Sequence, residues 1–342
     1  MTGALTALSL AAAGHGTAAD VTVTALSFDA LDGWAQDNHA AALAAFRTTC
    51  RDLPAPDWTA ICDQAMSNPE PRAFFEGLFQ PVLIEDGAPG LFTGYFEPEL
   101  AGARQRGGPY QHPIYAMPPE AREVDVWHSR RDLLENGHLA ERELEIAWLA
   151  DPVELFFLQI QGSGRITFPD GDGLRVGYAG ANGHEYRSIG AELVRRGVFE
   201  AQEITAEVIK NWVRRNPGPG QELLFHNPSY VFFRVVKDVP VQSGPLGAMN
   251  RSVTAMRSIA VDPAHTILGS PVWIEKDGQV PLRRLMVAQD TGSAIKGAQR
   301  ADVFFGTGAE AGAAAGRLND PGRMVVLLPV QRAQAVAGAV AP

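Results

Sequence analysis

Beyond residue 90 the hydrophobic positions fall in short runs that alternate with Gly and Pro. Short runs rich in apolar and β-branched residues, bounded by turn residues, are typical of strands. The pattern therefore predicts a fold rich in short strands. The predicted strands cover residues 153–160, 174–178, 230–236, 272–275, 284–289, 302–305 and 324–328.

A helical period marks the first 80 residues instead. Ala41, Ala44, Ala45 and Phe46 recur on one side of a predicted helix over residues 38–53. A second short helix is expected at 58–65, and residues 69–81 place bulky apolar side chains at helical spacing, which indicates a core face. Further helices are predicted at 186–196, 205–215 and 310–318, and the Ala-rich residues 331–342 are expected to form a flexible tail.

The composition is that of an ordinary globular protein. The chain has 342 residues, 46% of them hydrophobic and 20% charged, which suits one large domain or two modest ones. No stretch approaches the roughly 20 apolar residues of a membrane-spanning helix. The net charge of −10 comes without a basic patch, which argues against nucleic acid as a partner. An anionic polymer would have to be held by neutral polar and aromatic groups.

Two features suggest export from the cytoplasm. Residues 1–20 contain an apolar stretch and a weak small-residue cleavage site but lack the basic start of a secretion signal. They are interpreted as a signal-like segment, with a flexible tail as the alternative. Cys50 and Cys62 form an even pair, which predicts one disulfide in an exported protein. Two buried thiols are the alternative.

Several familiar catalytic motifs are absent. Gly162-Ser163-Gly164 follows Gln161 rather than the Gly that a nucleophile elbow requires. The His residues are isolated, and no metal or cofactor is expected. One competitor is the sequence Asp-Thr-Gly-Ser beginning at Asp290, which resembles the active-site loop of aspartic proteases. That chemistry needs two carboxylates sharing a proton, so it would require a homodimer.

Two aspartates stand out in the segment 285–308. Asp290 and Asp302 each lie on or at the end of an apolar strand, and Ala301, Val303 and Phe304 surround Asp302. Apolar surroundings disfavour ionisation and raise a carboxyl pKa, which suits a proton donor near neutral pH. The alternative for Asp302 is an ordinary strand residue bonded at a turn.

An ordered set of motifs covers residues 91–328. They are LFTGYFEPEL (91–100), HPIYAMPP (112–119), FFLQIQGSGRITFPDG (156–171), YAGANGHEYRSIG (178–190), NPSYVFFR (227–234), GPLGAMNRSVTAMRSIAVD (244–262) and the segment 285–308. The set resembles the membrane-bound lytic murein transglycosylase A family, and the first 80 residues match only loosely. Known members carry a lipidated Cys at the mature start, which is not seen here.

The resemblance implies a fold of the α+β class that is mainly β with helices. A double-psi β-barrel domain would use residues 21–102 and 236–330, with the N-terminal helices packed on it. A smaller β-rich domain, residues 103–235, would be inserted into it, and a deep groove would separate the two.

The resemblance also implies a reaction. Family members cleave the β-1,4 bond between N-acetylmuramic acid and N-acetylglucosamine in peptidoglycan without water and leave 1,6-anhydro ends. The family's catalytic Asp corresponds to Asp302, as a single acid/base. The C6 hydroxyl of the substrate is an internal nucleophile, so one carboxyl can suffice. Asp290 would stabilise charge and keep Asp302 protonated, or else hold loop amides in an Asx-type turn.

Other residues of the motifs are expected to bind the glycan. Gln161, Gly162, Ser163 and Gly164 would present hydrogen-bond donors to sugars. Thr93 and Gly94 belong to the first motif, and Lys296 would bind a substrate carboxylate or neutralise Asp290. Rings that would stack on sugars, with core packing as the alternative, are Tyr95, Tyr178 and Tyr186.

The expected setting is the bacterial periplasm, with association to the outer membrane also considered. Peptidoglycan strands are the expected ligand, proteins of wall synthesis or division are candidate partners, and a monomer is expected. A wall-binding protein that has lost catalysis is the main alternative function.

Overall fold

The computed structural model describes residues 21–53, 55–278 and 281–340. The signal-like segment 1–20 lies outside these residues. Within the described part of the chain the strands are β1 (Thr22–Ala25), β2 (Phe79–Glu85), β3 (Leu91–Glu97), β4 (Glu99–Ala103), β5 (His112–Tyr115), β6 (Glu145–Leu149), β7 (Ser163–Thr167), β8 (Gly173–Ala181), β9 (Val231–Val236), β10 (Ser258–Val261), β11 (Pro271–Lys276), β12 (Leu282–Asp290), β13 (Arg300–Thr307), β14 (Asn319–Asp320) and β15 (Gly322–Pro329).

The helices complete a mixed α+β fold, which confirms the predicted fold class. They are α1 (His39–Thr49), α2 (Pro56–Met66), α3 (Pro71–Leu78), α4 (Arg130–Glu135), α5 (Pro152–Gln161), α6 (Ile189–Arg195), α7 (Ala206–Arg215), α8 (Pro217–His226), α9 (Ala309–Ala315) and α10 (Val330–Val340).

The strands form two sheets. The first has the order β1-β2-β15-β11-β12-β10-β13-β3-β14, and the second has the order β5-β6-β4-β7-β8-β9. In the first sheet β12 runs parallel to β10 and β13 runs parallel to β3. In the second, β4 runs parallel to β7. The second sheet and the helices α4 to α8 lie between β3 and β10 in the chain, as an insert within the first domain.

The central strands of the first sheet are buried on both faces. Alternate residues point to opposite faces of a strand. On β11, Trp273 packs with the aromatic residues of α1 to α3, whereas Val272 and Ile274 pack into the opposite core. The same alternation separates Leu285 from Met286 on β12. The N-terminal helices therefore cover one face of this sheet.

Residues 153–160, predicted as a strand, form most of the helix α5, so that prediction was wrong. The run is short and mainly apolar, and the period of such a run does not distinguish a buried helix from a buried strand. The ends decide. The Asp151 side chain accepts a hydrogen bond from the Val153 amide, Pro152 occupies the first helical position, and Gly162 ends the helix with a φ of 74°.

The two cysteines lie next to each other in the N-terminal helical layer. Cys50 follows α1, Cys62 lies on α2, and the two are joined as a disulfide with their Cα atoms 5.4 Å apart. At the other end of the chain, residues 330–340 form α10 rather than a flexible tail. Ala333 is buried, and Arg332 forms an ion pair with Asp57 of α2, so the start of this helix is anchored.

The chain passes from the first sheet to the second at Pro98. β3 ends at Glu97 and β4 begins at Glu99, so β4 belongs to the insert although residues 99–102 were assigned to the barrel. The side chain of Glu97 is fully buried. Its carboxylate contacts Arg165 Nε at 2.9 Å and Arg175 Nε at 2.8 Å, and it accepts a hydrogen bond from Thr307 Oγ1 at 2.8 Å.

Replacing Glu97 by Gln should destabilise the protein by about 3–5 kcal/mol, because a buried arginine then loses its counter-charge. Glu99→Gln is the matched control, since Glu99 is half exposed and its carboxylate lies 3.6 Å from Arg165; it should change little. The free energy of unfolding in urea measures both. Equal effects of the two exchanges would contradict the account.

Candidate active site

Three adjacent strands bring Asp290 and Asp302 to one side of the first sheet. β10 lies between β12 and β13, and Ala260 on β10 is in register with both aspartates. Residues in register point to the same face, and strands lie about 4.8 Å apart. The two Cα atoms are therefore separated by roughly 10 Å, twice the strand spacing.

A β-bulge puts Asp290 on this face. The register of β10 and β12 shifts between Ile259, which pairs with Ala288, and Ala260, which pairs with Asp290. Gln289 is the extra residue and turns towards α1, where its amide donates to Thr49 Oγ1 at 2.9 Å. Without the bulge, simple alternation would send Asp290 to the face of Ala288, into the opposite core.

Asp302 is held by the neighbouring parallel strand. Thr93 is its register partner on β3, and Thr93 Oγ1 donates to Asp302 Oδ1 at 2.7 Å. The same hydroxyl accepts from Arg300 Nη2 at 2.8 Å. Because a hydroxyl has a single hydrogen, the bond from Arg300 leaves that hydrogen for Asp302.

Both carboxylate oxygens of Asp290 accept hydrogen bonds. Tyr95 donates its hydroxyl to Oδ2 at 2.9 Å, and the amides of Ala248 and Thr291 donate to Oδ1 at 3.0 and 2.9 Å. Gly247 allows the loop to approach, because a Cβ there would lie 2.6 Å from the Gln289 carbonyl oxygen and 3.3 Å from Asp290 Cγ. Asp290 thus holds loop amides, as one of its two expected roles required.

The surroundings shift the pKa values of these groups. Burial raises the pKa of Asp302 to about 6, with the charge of Asp290 adding to the rise and Thr93 and Arg300 opposing it. Burial also raises the pKa of Asp290 to about 6, against the hydrogen bonds that it accepts. Burial and the charge of Asp290 raise the pKa of Tyr95 well above its ordinary value. The site can therefore hold a proton near neutral pH.

The Gln161 motif has a packing role around β3 and β8. Gln161 Oε1 accepts a hydrogen bond from the Phe96 amide at 3.0 Å, which ties the end of α5 to the strand carrying Thr93. Ser163 is buried and pairs with Gly177 on β8. Gly164 packs so closely that a Cβ would lie 2.5 Å from Leu158. These contacts explain Ser163 and Gly164 without a ligand, and the positive φ at the end of α5 explains Gly162.

The remaining expected residues lie on several different elements. Gly94 lies on β3 and packs against Ala315. A Cβ atom at position 94 would lie 2.7 Å from the Cα atom of Ala315. Tyr95 is buried with Phe304, Tyr178 is 56% exposed on the insert, and Tyr186 is half-buried. Lys296 is exposed, and its ammonium lies 4.0 Å from Asp262. The suggestion that Lys296 neutralises Asp290 was therefore wrong.

Sequence reasoning missed Arg300 and the loop around Ala248. Arg300 lies two residues before Asp302 on β13, so alternation alone would have placed both on one face. The Ala248 contact had no comparable signal, because it joins residues 42 positions apart through a backbone amide.

Comparisons with known proteins identify two family domains in this chain. Residues 91–234 match the MltA specific insert domain, and residues 257–328 match the 3D domain. The membrane-bound lytic murein transglycosylase A of Escherichia coli K12 is 37% identical over 243 residues, which are 69% of this chain and 65% of that protein. The chain belongs to the membrane-bound lytic murein transglycosylase A family.

Solved structures of the family share the fold. The crystal structure of a membrane-bound lytic murein transglycosylase from Agrobacterium tumefaciens is 31% identical, with a TM-score of 0.80, covering 92% of this chain and 99% of that one. The structure of E. coli MltA with bound chitohexaose is 28% identical, with a TM-score of 0.70, covering 85% and 90%. The alignment to the curated E. coli relative spans 65% of its length.

Family membership and geometry both argue against the aspartic protease alternative. Both oxygens of Asp290 bind groups of its own chain, and the nearest second carboxyl across the sheet is Asp302 of the same chain. Among the described residues no helix has the length and apolar content to cross a membrane.

Thr93→Val should raise the pKa of Asp302 by roughly one unit, because the ionised carboxylate loses a hydrogen bond worth about 1 kcal/mol. Thr93→Ser keeps the hydroxyl and should leave the pKa near that of the wild type. NMR titration of ¹³C-labelled aspartate carboxyls measures both. An unchanged pKa in the Val variant would refute the role of Thr93.

Asp302→Asn should stabilise the protein relative to the wild type as pH rises. The pKa of Asp302 is raised on folding, so the folded wild type binds the extra proton and loses stability between about pH 4 and 6. Asn does not titrate, so the stability gap should grow by roughly 2–3 kcal/mol from pH 4 to pH 8. Urea unfolding at both pH values tests this, with Asp277→Asn at an exposed carboxyl as the control. A gap independent of pH would contradict the assignment.

Proposed function

We propose that this chain is a lytic transglycosylase of peptidoglycan. It cleaves the β-1,4 bond between N-acetylmuramic acid and N-acetylglucosamine without water and leaves a 1,6-anhydro end. Asp302 is the single acid/base. The observation that carries this proposal is the environment of the Asp302 carboxyl: its pKa lies near 6, and only one of its oxygens accepts a hydrogen bond from the described residues.

The two oxygens of Asp302 have different roles in the proposal. Oδ1 accepts the hydrogen bond from Thr93, so the proton resides on Oδ2. From there it passes to the glycosidic oxygen as the bond to the sugar breaks. The carboxylate then takes the proton of the C6 hydroxyl while that oxygen attacks the anomeric carbon. Protons balance, no water enters, and Asp302 returns to its protonated form.

Asp290 supports this cycle electrostatically. Its charge contributes to the raised pKa of Asp302, which favours the acid form before cleavage. The same negative charge would stabilise an oxocarbenium-like sugar during bond breaking. Tyr95 and the Ala248 amide fix its position, so its field is oriented before substrate binds.

A glycan is the substrate class that the relatives favour. The E. coli MltA structure with bound chitohexaose supports binding of an N-acetylated sugar chain by this fold. Within this chain, the exposed ring of Tyr178 and the amide of Gln161 are the proposed contacts from the insert. Arg234 of the insert donates to the Tyr178 carbonyl oxygen at 3.3 Å and to Asn250 Oδ1 at 3.2 Å, which links this surface to the loop at Asp290.

We place the enzyme in the cell envelope, in the periplasm, acting as a monomer. The names of its relatives support the envelope, and the Cys50–Cys62 disulfide fits an oxidising compartment. Proteins of wall synthesis or division are the proposed partners.

Asp302→Asn should reduce release of anhydro-muropeptides from purified peptidoglycan by at least about a hundredfold, the usual effect of losing a general acid. Mass spectrometry of the released products measures this, with Asp277→Asn as the matched control. Undiminished release would remove Asp302 from the mechanism. Release by neither the wild type nor the variant would favour a wall-binding protein without catalysis.

Asp290→Asn should lower the pKa of Asp302, because a negative neighbour is removed. Activity requires protonated Asp302 and falls as pH rises through its pKa, so the alkaline limb of the profile should move to lower pH. The pH dependence of kcat measures the limb. A limb that stays in place or moves to higher pH would exclude electrostatic coupling between the two carboxyls.

A further inference from the structure

A cavity of about 750 Å³ lies within the insert, away from both aspartates. Its size is that of a small-molecule site. Parts of α4, α5, α7 and α8 enclose it. Its walls are largely apolar, and they include Leu133, Leu139, Val153, Leu155, Phe156 and Val213.

The wall also contains a buried positive charge. Arg130 is 4% exposed, and its guanidinium donates only to neutral oxygens: the Asn227 carbonyl at 3.1 Å, Gln159 Oε1 at 2.6 Å and the Ser229 carbonyl at 2.6 Å. Among the described residues no carboxylate pairs with it. These bonds use three of its five N–H donors. Burial lowers the pKa of Arg130 to about 10, so it stays charged at neutral pH.

The wall contains a second buried polar group. The Tyr230 hydroxyl is buried and makes no hydrogen bond of normal geometry with the described residues, although the Gln159 amide lies nearby. Buried polar groups in native proteins are nearly always bonded. The Arg130 guanidinium carbon lies 5.2 Å from the centre of the Tyr230 ring, so the two side chains are neighbours in the same wall.

Asp151, the acidic residue of the cavity lining, already has a partner. Asp151 forms an ion pair with Arg214 at 2.8 Å and caps α5, so it leaves the charge of Arg130 uncompensated. A buried charge is costly unless it is paired. One guanidinium and one hydroxyl suit a ligand with a single negative charge. A carboxylate is such a ligand, and a guanidinium forms strong hydrogen bonds with it.

We propose that this cavity binds a small amphipathic monocarboxylate, with the carboxylate on Arg130 and the Tyr230 hydroxyl and the apolar body among the leucines. Two sources share this chemistry: a free aliphatic acid and the carboxyl end of a short peptide. The site is independent of Asp302 chemistry and of the proposed reaction.

Calorimetric titration of the whole chain tests the proposal with two matched pairs of probes. The pairs are octanoate against octanol, and N-acetyl-D-alanyl-D-alanine against its C-terminal amide. We expect saturable binding of at least one carboxylate, about tenfold or more tighter than its uncharged partner. Octanoate alone would identify an aliphatic acid, and the dipeptide alone a peptide end. Failure of both carboxylates, or equal affinity within each pair, would overturn the proposal.

Two variants locate the binding site. Tyr230→Phe removes a hydroxyl that is unbonded in the free protein, so the melting temperature should not fall, whereas carboxylate affinity should fall about fivefold. Leu134→Glu places a negative charge at an exposed position of the lining and should weaken the carboxylate without weakening octanol as strongly. Carboxylate affinity unchanged in both folded variants would show that binding lies elsewhere and refute the assignment.

Discussion

One face of strand β3 organises the structure. Thr93, Tyr95 and Glu97 alternate along it and therefore point the same way. Thr93 donates to Asp302, Tyr95 donates to Asp290, and Glu97 binds the two arginines of the insert. The buried Glu97 carboxylate is costly unless both arginines stay in place. It thus fixes the insert relative to the same strand that positions the two aspartates.

This arrangement accounts for the electrostatics of the site. A carboxyl at the surface would ionise near its ordinary pKa and could not deliver a proton at neutral pH. The strands partly bury Asp302 and keep Asp290 close enough for its charge to raise the pKa of Asp302, while Thr93 and Arg300 limit that rise. Burial and the charge of Asp290 raise this pKa, the hydrogen bond from Thr93 and the charge of Arg300 lower it, and the balance lies at about 6. A glycosidase with two catalytic carboxyls divides the acid and base roles, whereas here one group near neutrality can serve both in turn.

The sequence pattern was sufficient to predict the strands that carry the aspartates, because their apolar runs are short and bounded by Gly and Pro. It failed for residues 153–160, because a short and mainly apolar run fits either a helix or a strand. The caps at Asp151 and Gly162 decide for the helix. The bulge at Gln289 could not be predicted, since it depends on pairing with β10. Glu97 looks like a surface residue in sequence, and its arginine partners lie 68 and 78 positions away.

In the proposed mechanism the bond is broken without water and Asp302 serves as both acid and base. Digestion of peptidoglycan in water enriched in ¹⁸O, followed by mass spectrometry of the new glycan ends, distinguishes this mechanism from hydrolysis. We expect anhydro ends that carry no ¹⁸O, because the substrate's own C6 oxygen closes the ring. New reducing ends that carry one ¹⁸O atom would identify a hydrolase and contradict the single-carboxyl mechanism.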